Sequence, residues 1–207
     1  MTFHDALRQL ASHSTVAQAG LVERAIELRE HLAHDPNDQV AFAELADLVR
    51  DLGATDTPAD PLTADAQSSA EDNARLVLWS LAEELASDSR AWNPLIQLAK
   101  LTLGDDLESA VRYLTTAVTR EDTGLALASA IKILRLAGYT DAAVQFGLGK
   151  WNANTHISQV GEEMIATALA RGKVARARKY FELMEQAGLE DRIAMKLRVK
   201  IDEAAQN

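Results

Sequence analysis

Residues 124–147 read GLALASAIKILRLAGYTDAAVQFG, and this stretch decides the fold. Its apolar and small residues recur at steps of three and four, the spacing of one face of an α-helix, in Leu127, Ala130, Ile131 and Leu134. Gly138 then interrupts the pattern, as glycine often does where a helix ends. We therefore expect a helix, a turn at Gly138 and a second helix that contains Ala143.

Helical spacing continues on both sides of this stretch. It runs through Leu21 to Leu32, Phe42 to Val49, Ala74 to Leu85, Leu114 to Val118 and Phe181 to Met184. Strand signals are nearly absent, because only 5% of the residues are aromatic and no Asn-Gly or Asp-Gly hairpin turn occurs. The sequence predicts an all-α chain of short helices.

A fixed period of about 34 residues links these helices. Gly104, Gly138 and Gly172 lie 34 residues apart, and the small residues Ala110, Ala143 and Ala177 follow at nearly the same interval. A period in this range is typical of arrays of helix pairs. We predict that the alanines, together with Ala46, let the two helices of each pair pack closely, while larger apolar residues fill the gap to the next pair.

This pattern resembles the tetratricopeptide repeat. The best segment has Pro36, Phe42, Leu45, Ala46, Val49 and Gly53 in the family's order. The chain departs from the family at the position where a glycine is usual, which is occupied here by Ala46, Ile96, Ile131 and Ile165. Related arrays of helical hairpins are therefore alternatives to the tetratricopeptide repeat. The resemblance implies a single domain over residues 1–207: a right-handed superhelical array of antiparallel helix pairs, about four to five, with a C-terminal capping helix.

One interval in the repeat is too long, and the excess falls in residues 54–73. This stretch contains Pro58, Pro61 and several Asp, Thr and Ser residues, and it lacks aromatic residues. We interpret it as a flexible acidic insertion, with a lid over the binding groove as the alternative.

Composition excludes several kinds of chemistry. The absence of Cys excludes disulfides, thiolate metal sites and cysteine nucleophiles. The sequence contains no nucleophile elbow, phosphate-binding loop or dinucleotide fingerprint, so we expect no enzyme activity, no catalytic residues and no cofactor. His31 and His34 lie three residues apart, but without a third ligand we interpret them as a surface pair rather than a metal site. Because no long apolar run or secretory signal occurs, we expect a cytoplasmic protein that does not bind membranes.

The resemblance also implies a ligand groove lined by the first helix of each pair. Carried over by this register, the groove positions are Arg90, Asn93, Gln97, Lys100, Lys132, Arg135, Gln159 and Glu162, with Glu163 beside them. The middle of such a groove would be basic. We expect it to bind a protein or peptide segment, an acidic one in particular, through charge-assisted hydrogen bonds.

A second candidate surface lies near the C-terminus, where the charge changes sign. Residues 1–122 hold 9 basic and 22 acidic side chains, whereas residues 171–207 hold 9 and 6. The resulting basic face consists of Arg171, Lys173, Arg176, Lys179 and Lys196. The net charge of −10 and the lack of a set of stacking aromatics disfavour nucleic acid, although a polyanion remains an alternative ligand.

The last helix, expected over residues 190–205, carries two stripes. Ile193, Leu197, Ile201 and Ala204 form the stripe that caps the array, and Met195 and Val199 form a second one. If the second stripe is exposed, it is a candidate homodimer contact. The hypothesis from sequence is thus a non-enzymatic adaptor, with a polyanion-associated protein and a subunit of a larger assembly as alternatives.

Overall fold

The computed structural model describes residues 2–10, 16–54 and 64–206. Over these residues the chain contains eleven α-helices and no strand, which confirms the all-α prediction. None of these helices has both the length and the apolar character that crossing a membrane requires. The helices are α1 (Phe3–Leu10), α2 (Val16–His34), α3 (Gln39–Ala54), α4 (Ala64–Ala86), α5 (Asn93–Thr102), α6 (Leu107–Thr119), α7 (Leu125–Leu136), α8 (Thr140–Leu148), α9 (Ser158–Ala170), α10 (Val174–Gln186) and α11 (Asp191–Gln206).

The chain forms two compact units, residues 1–113 and residues 114–207, which divide within α6. In the first unit α3 packs against α2 and α4, and α4 packs against α5. The short helix α1 lies on α4 and touches α3. Large side chains that are fully buried in this core include Leu45, Leu81 and Leu98.

The second unit contains two helix pairs, α7 with α8 and α9 with α10, and each pair packs against the helix that follows it. Helix α7 contacts both α8 and α9, while α9 contacts α8, α10 and α11. The core contains Leu127, Ile131 and Met164, all almost fully buried. Two glycines let helices approach closely, because a methyl group on Gly147 would overlap the Met164 sulfur and one on Gly161 would overlap that of Met184.

The 34-residue period has a structural counterpart in the turns that follow α7 and α9. Gly138 and Gly172 adopt positive φ, and the next N–H, of Tyr139 or Lys173, donates to a carbonyl five residues back, at 2.8 Å in both turns. This arrangement is a Schellman motif, which favours glycine because a Cβ is strained at positive φ. Gly104, the third member of the series, is not among the positive-φ glycines of the described residues, so its turn differs.

The small residues of the predicted repeat are packing residues. Ala110, Ala143 and Ala177 have no exposed surface, and Ala46 is also buried. Because all four are buried, the structure confirms the interpretation that these residues serve packing.

The predicted insertion at residues 54–73 needs a correction. Residues 55–63 lie outside the described residues, but Ala64–Asn73 belong to α4 and are not a loop. This segment has no Gly or Pro and contains Ala64, Ala66, Gln67, Ala70 and Glu71, which are good helix formers. Because these residues precede an apolar face that begins at Ala74, they extend that helix toward its N-terminus. The single-domain assignment stays a prediction.

Candidate functional site

The start of α5 is fixed by a side chain from the turn between α2 and α3. The carboxamide oxygen of Asn37 accepts hydrogen bonds from the N–H groups of Trp92 at 2.8 Å and Asn93 at 3.1 Å. The Asn37 amide donates to the carbonyl of Arg90 at 3.0 Å. Asn37 thus acts as a helix cap supplied from a distant part of the chain, and it positions the predicted groove residues of the first unit.

Three of these predicted residues form a hydrogen-bonded row along α5. The Gln97 amide donates to the Asn93 oxygen at 2.9 Å, and the Lys100 ammonium donates to the Gln97 oxygen at 3.2 Å. Asn93 is only 1% exposed, and its Nδ2 has no hydrogen-bond partner among the described residues. The fourth, Arg90, is separate from the row, because its guanidinium binds Asp88 at 2.8 Å.

In the second unit an ion pair joins α7 to α9. Arg135 binds Glu163 at 2.7 Å, and the two side chains are only 20% and 14% exposed. Lys132 lies one turn before Arg135, and Gln159 lies one turn before Glu163, so these four residues share one face of the unit. Lys132 and Gln159 are exposed, and Glu162 beside them is half-buried. Within the second unit, the structure thus joins two of the predicted residues, Arg135 and Glu163, and this ion pair neutralises Arg135.

The N-terminal end of α7 is held by Glu121. Its carboxylate accepts hydrogen bonds from the N–H groups of Thr123 at 2.7 Å and of Gly124 and Ala126 at 3.0 Å. Burial alone would raise the pKa of Glu121, but these bonds and one from the Thr123 hydroxyl lower it below its ordinary value. The charged form is favoured, as expected at a helix N-terminus.

The predicted basic face is mostly solvent-exposed. Lys173, Arg176, Lys179 and Lys196 are exposed and form no salt bridge within the described part of the chain, whereas Arg171 is half-buried and binds Asp141 of α8. Nearby, burial raises the pKa of Tyr180, and the positive charges of Arg176 and Arg171 oppose this effect. Tyr180 packs edge-on against Trp151, with ring centroids 5.6 Å apart. Lys173, Lys179 and Lys196 are therefore the exposed cations of the basic face that a ligand could reach, whereas Arg176 lies beside the Tyr180 hydroxyl.

The two neighbouring histidines make separate local contacts. His31 Nε2 lies 2.9 Å from Asp38 Oδ2, and His34 Nδ1 lies 2.9 Å from the carbonyl oxygen of Glu30. Among the residues described, no cluster of three or more His, Asp or Glu side chains is placed to hold a metal ion. His31 therefore links the end of α2 to the residue before α3, whereas the His34 contact lies within α2.

The exposed stripe predicted on the last helix is present. Leu197 and Ile201 are buried, whereas Met195 is 70% exposed and Val199 is 52% exposed. Ile193 and Ala204 are half-buried at the edges of the packed face. Met195 and Val199 thus form an unpartnered apolar stripe on α11.

The sequence did not predict Asn37 or the Arg135–Glu163 pair as parts of these surfaces. Asn37 follows Pro36 in a turn, so its capping role was hidden by the distance along the chain to α5. The only signal for the ion pair was the opposite charge at two predicted groove positions. No family model, curated protein or solved structure matches the chain.

Proposed function

We propose that the chain is a non-enzymatic helical-repeat adaptor that binds a peptide or protein segment on the face formed by the first helices of its pairs. The arrangement of the second unit carries this proposal. Helix α7 packs against its own second helix, α8, and also against the next first helix, α9. A tetratricopeptide-like array, in which first helices line a concave surface, has this pattern of neighbours.

The turns of the second unit support the same interpretation. The Schellman motifs at Gly138 and Gly172 are 34 residues apart, and each connects a first helix to a second helix through three residues. Short connections of this kind favour antiparallel neighbours. We therefore expect the repeat in the second unit. There α11 follows two complete pairs and takes the position that the first helix of another pair would have.

The polar groups on these faces indicate what a partner would contain. In the second unit, Lys132 is exposed beside the Arg135–Glu163 pair, so an acidic side chain would gain a charge-assisted bond from Lys132. An extended segment that carries an acidic residue fits the face of the second unit.

Selection of peptides from a displayed random library against the immobilised chain tests this function. We expect an enriched consensus that contains Asp or Glu, and Lys132→Glu should weaken binding of the consensus peptide by at least about tenfold in fluorescence polarisation. Lys179→Glu is the matched control, since it makes the same charge change at an exposed position of the same unit. Both variants should keep the melting midpoint, because surface substitutions usually change stability by less than about 0.5 kcal/mol.

Failure to enrich any sequence would contradict the adaptor proposal. A consensus peptide whose binding is unaffected by Lys132→Glu would place the site elsewhere on the chain.

A second candidate function is binding of a polyanion at the basic face. It is favoured by the exposure of Lys173, Arg176, Lys179 and Lys196 in a chain that is otherwise acidic. Heparin and single-stranded RNA are suitable probes. Lys179→Glu should then weaken binding while Lys132→Glu should not, and the affinity should fall steeply with salt.

A further inference from the structure

A cavity in the first unit lies where α4 meets the start of α1 and the middle of α2. Its volume is about 590 Å³, within the range of about 300 to 1,000 Å³ that is usual for small-molecule sites. The described residues that line it are Thr2, His4, Arg29, Ser80, Glu83 and Glu84. Polar side chains from three parts of the chain therefore meet around one space.

The Ser80 side chain is buried in the wall of this cavity. Ser80 is only 9% exposed, and its hydroxyl makes no hydrogen bond within the described part of the chain. Thr102, a buried hydroxyl residue of the same unit, instead donates to the carbonyl of Leu98, one turn back in its helix, at 2.6 Å. Because a buried polar group without a partner is unfavourable, the Ser80 hydroxyl is suited to bonding a ligand in the cavity.

Two carboxylates lie beside this hydroxyl on α4. Glu83 and Glu84 follow Ser80 by three and four residues, so the three side chains share one face of the helix. One oxygen of Glu84 bonds the Arg29 guanidinium, whereas Glu83 is exposed and forms no ion pair with another described residue. The Arg29 and Glu84 charges cancel, so these three charged groups together carry one net negative charge.

We propose that this cavity binds a small organic amine through its primary ammonium group. An ammonium group has three N–H donors and no acceptor. Ser80 Oγ, the second carboxylate oxygen of Glu84 and the Glu83 carboxylate provide three acceptors on one face of α4. Because the donor is charged, all three bonds are charge-assisted, and the ligand also balances the negative charge of Glu83.

Other small ligands fit this set of groups less well. A metal ion would lie beside the positive charge of Arg29, and no group of three His, Asp or Glu side chains in the described ranges is placed to hold one. An anion would meet the Glu83 carboxylate. The volume of the cavity also leaves room for the carbon chain of an amine, so size and charge together favour an organic cation.

Titration of the full chain with n-butylammonium, followed by the NMR shifts of the backbone amides, tests the proposal. We expect saturable binding with a dissociation constant of about 1 mM or lower, and shifts at the amides of Ser80 and Glu83. Tetramethylammonium is the matched probe, because it has the same charge and no N–H donor. It should bind at least about tenfold more weakly, whereas a general attraction of cations to an acidic chain would act on both probes alike.

Two variants test the location of the site. Ser80→Ala and Glu83→Gln should each weaken n-butylammonium binding by about tenfold or more, since the first removes an acceptor and the second removes a charge. Glu23→Gln is the matched control, because it makes the same charge change at an exposed position of α2 outside the cavity lining. Ser80→Ala should keep the melting midpoint, since the hydroxyl that it removes has no partner in the described residues.

Three results would overturn the proposal. The first is a titration with n-butylammonium that does not saturate, and the second is tetramethylammonium binding as tight as that of n-butylammonium. The third is amine binding that Ser80→Ala and Glu83→Gln leave unchanged, which would place the amine on another surface.

Discussion

A single carboxamide, that of Asn37, joins parts of the first unit that lie 55 residues apart in the sequence. It accepts two N–H groups at the start of α5 and donates to one carbonyl. No side chain of α5 itself caps this helix. The placement of Asn93, Gln97 and Lys100 thus depends on a residue outside their helix.

Replacing Asn37 by Ala should lower the free energy of unfolding by about 1 to 3 kcal/mol, because two helix N–H groups and a carbonyl lose their partner. Asn37→Asp should cost less, since a carboxylate still accepts from the N–H groups. Urea unfolding followed by circular dichroism measures both. The nearby exposed position supplies the control Gln39→Ala, and an Asn37→Ala chain as stable as that control would show that the cap contributes nothing.

At the residue scale, the sequence predicted which small residues are buried better than it predicted which polar residues bond to one another. Ala110, Ala143 and Ala177 follow a period, so their burial could be inferred from spacing alone. The partner of Asn37 and the Arg135–Glu163 bond depend on how helices distant in sequence meet. Periodicity places residues on a face, but it does not say which opposite charges on neighbouring faces come within bonding distance.

At the scale of elements, the close packing of the α7–α8 pair can be tested by substitutions in α8. Ala143 is fully buried in this helix, which contacts both α7 and α9. Ala143→Leu should lower the free energy of unfolding by about 1 to 3 kcal/mol, because the added side chain overpacks the contact. Gln145→Leu adds a leucine at an exposed position of the same helix and should have little effect. Equal melting midpoints for the two variants would show that α8 is packed differently.

The bounds of the elements were only partly predictable. The turns at Gly138 and Gly172 were found because glycine is favoured at positive φ. The start of α4 at Ala64 was missed, since the prolines and polar residues before it masked a segment of good helix formers. The loop interpretation followed from the composition of the segment itself. The helix forms there because the apolar face that begins ten residues later, at Ala74, extends it toward the N-terminus.

At the scale of the molecule, several helix starts depend on carboxylates. Hydrogen bonds lower the pKa of these carboxylates below the ordinary value. Asp5 accepts from the Thr2 side chain, and Asp106 accepts from the Ser109 side chain. Asp38 accepts from the Ala41 N–H and, with a smaller effect, is bonded to His31. The pKa of Glu121 is lowered as well, against the effect of burial. Acid sensitivity is therefore distributed over both units.

Because these pKa values are lower in the folded chain, the unfolded chain binds more protons in acid. The stabilisation is fully present above the ordinary values of 3.8 for Asp and 4.5 for Glu, and it is lost as the pH falls through the folded values. Urea unfolding between about pH 7 and pH 2 should show this loss, which begins below about pH 5. The combined variant Asp38→Asn and Glu121→Gln should be less stable at neutral pH and fall less steeply in acid. Parallel curves for variant and wild type would contradict this account.

The close approach of Gly147 to Met164 and of Gly161 to Met184 has a consequence for the lifetime of the protein in oxidising conditions. Both sulfurs are buried where even a methyl group on the facing helix would not fit. Conversion to the sulfoxide adds a polar oxygen to a buried sulfur that already lies against the backbone of a facing helix. Peroxide treatment should therefore loosen α8, α9 and α10 together, and a methionine sulfoxide reductase, acting on the opened chain, would be needed to restore their packing.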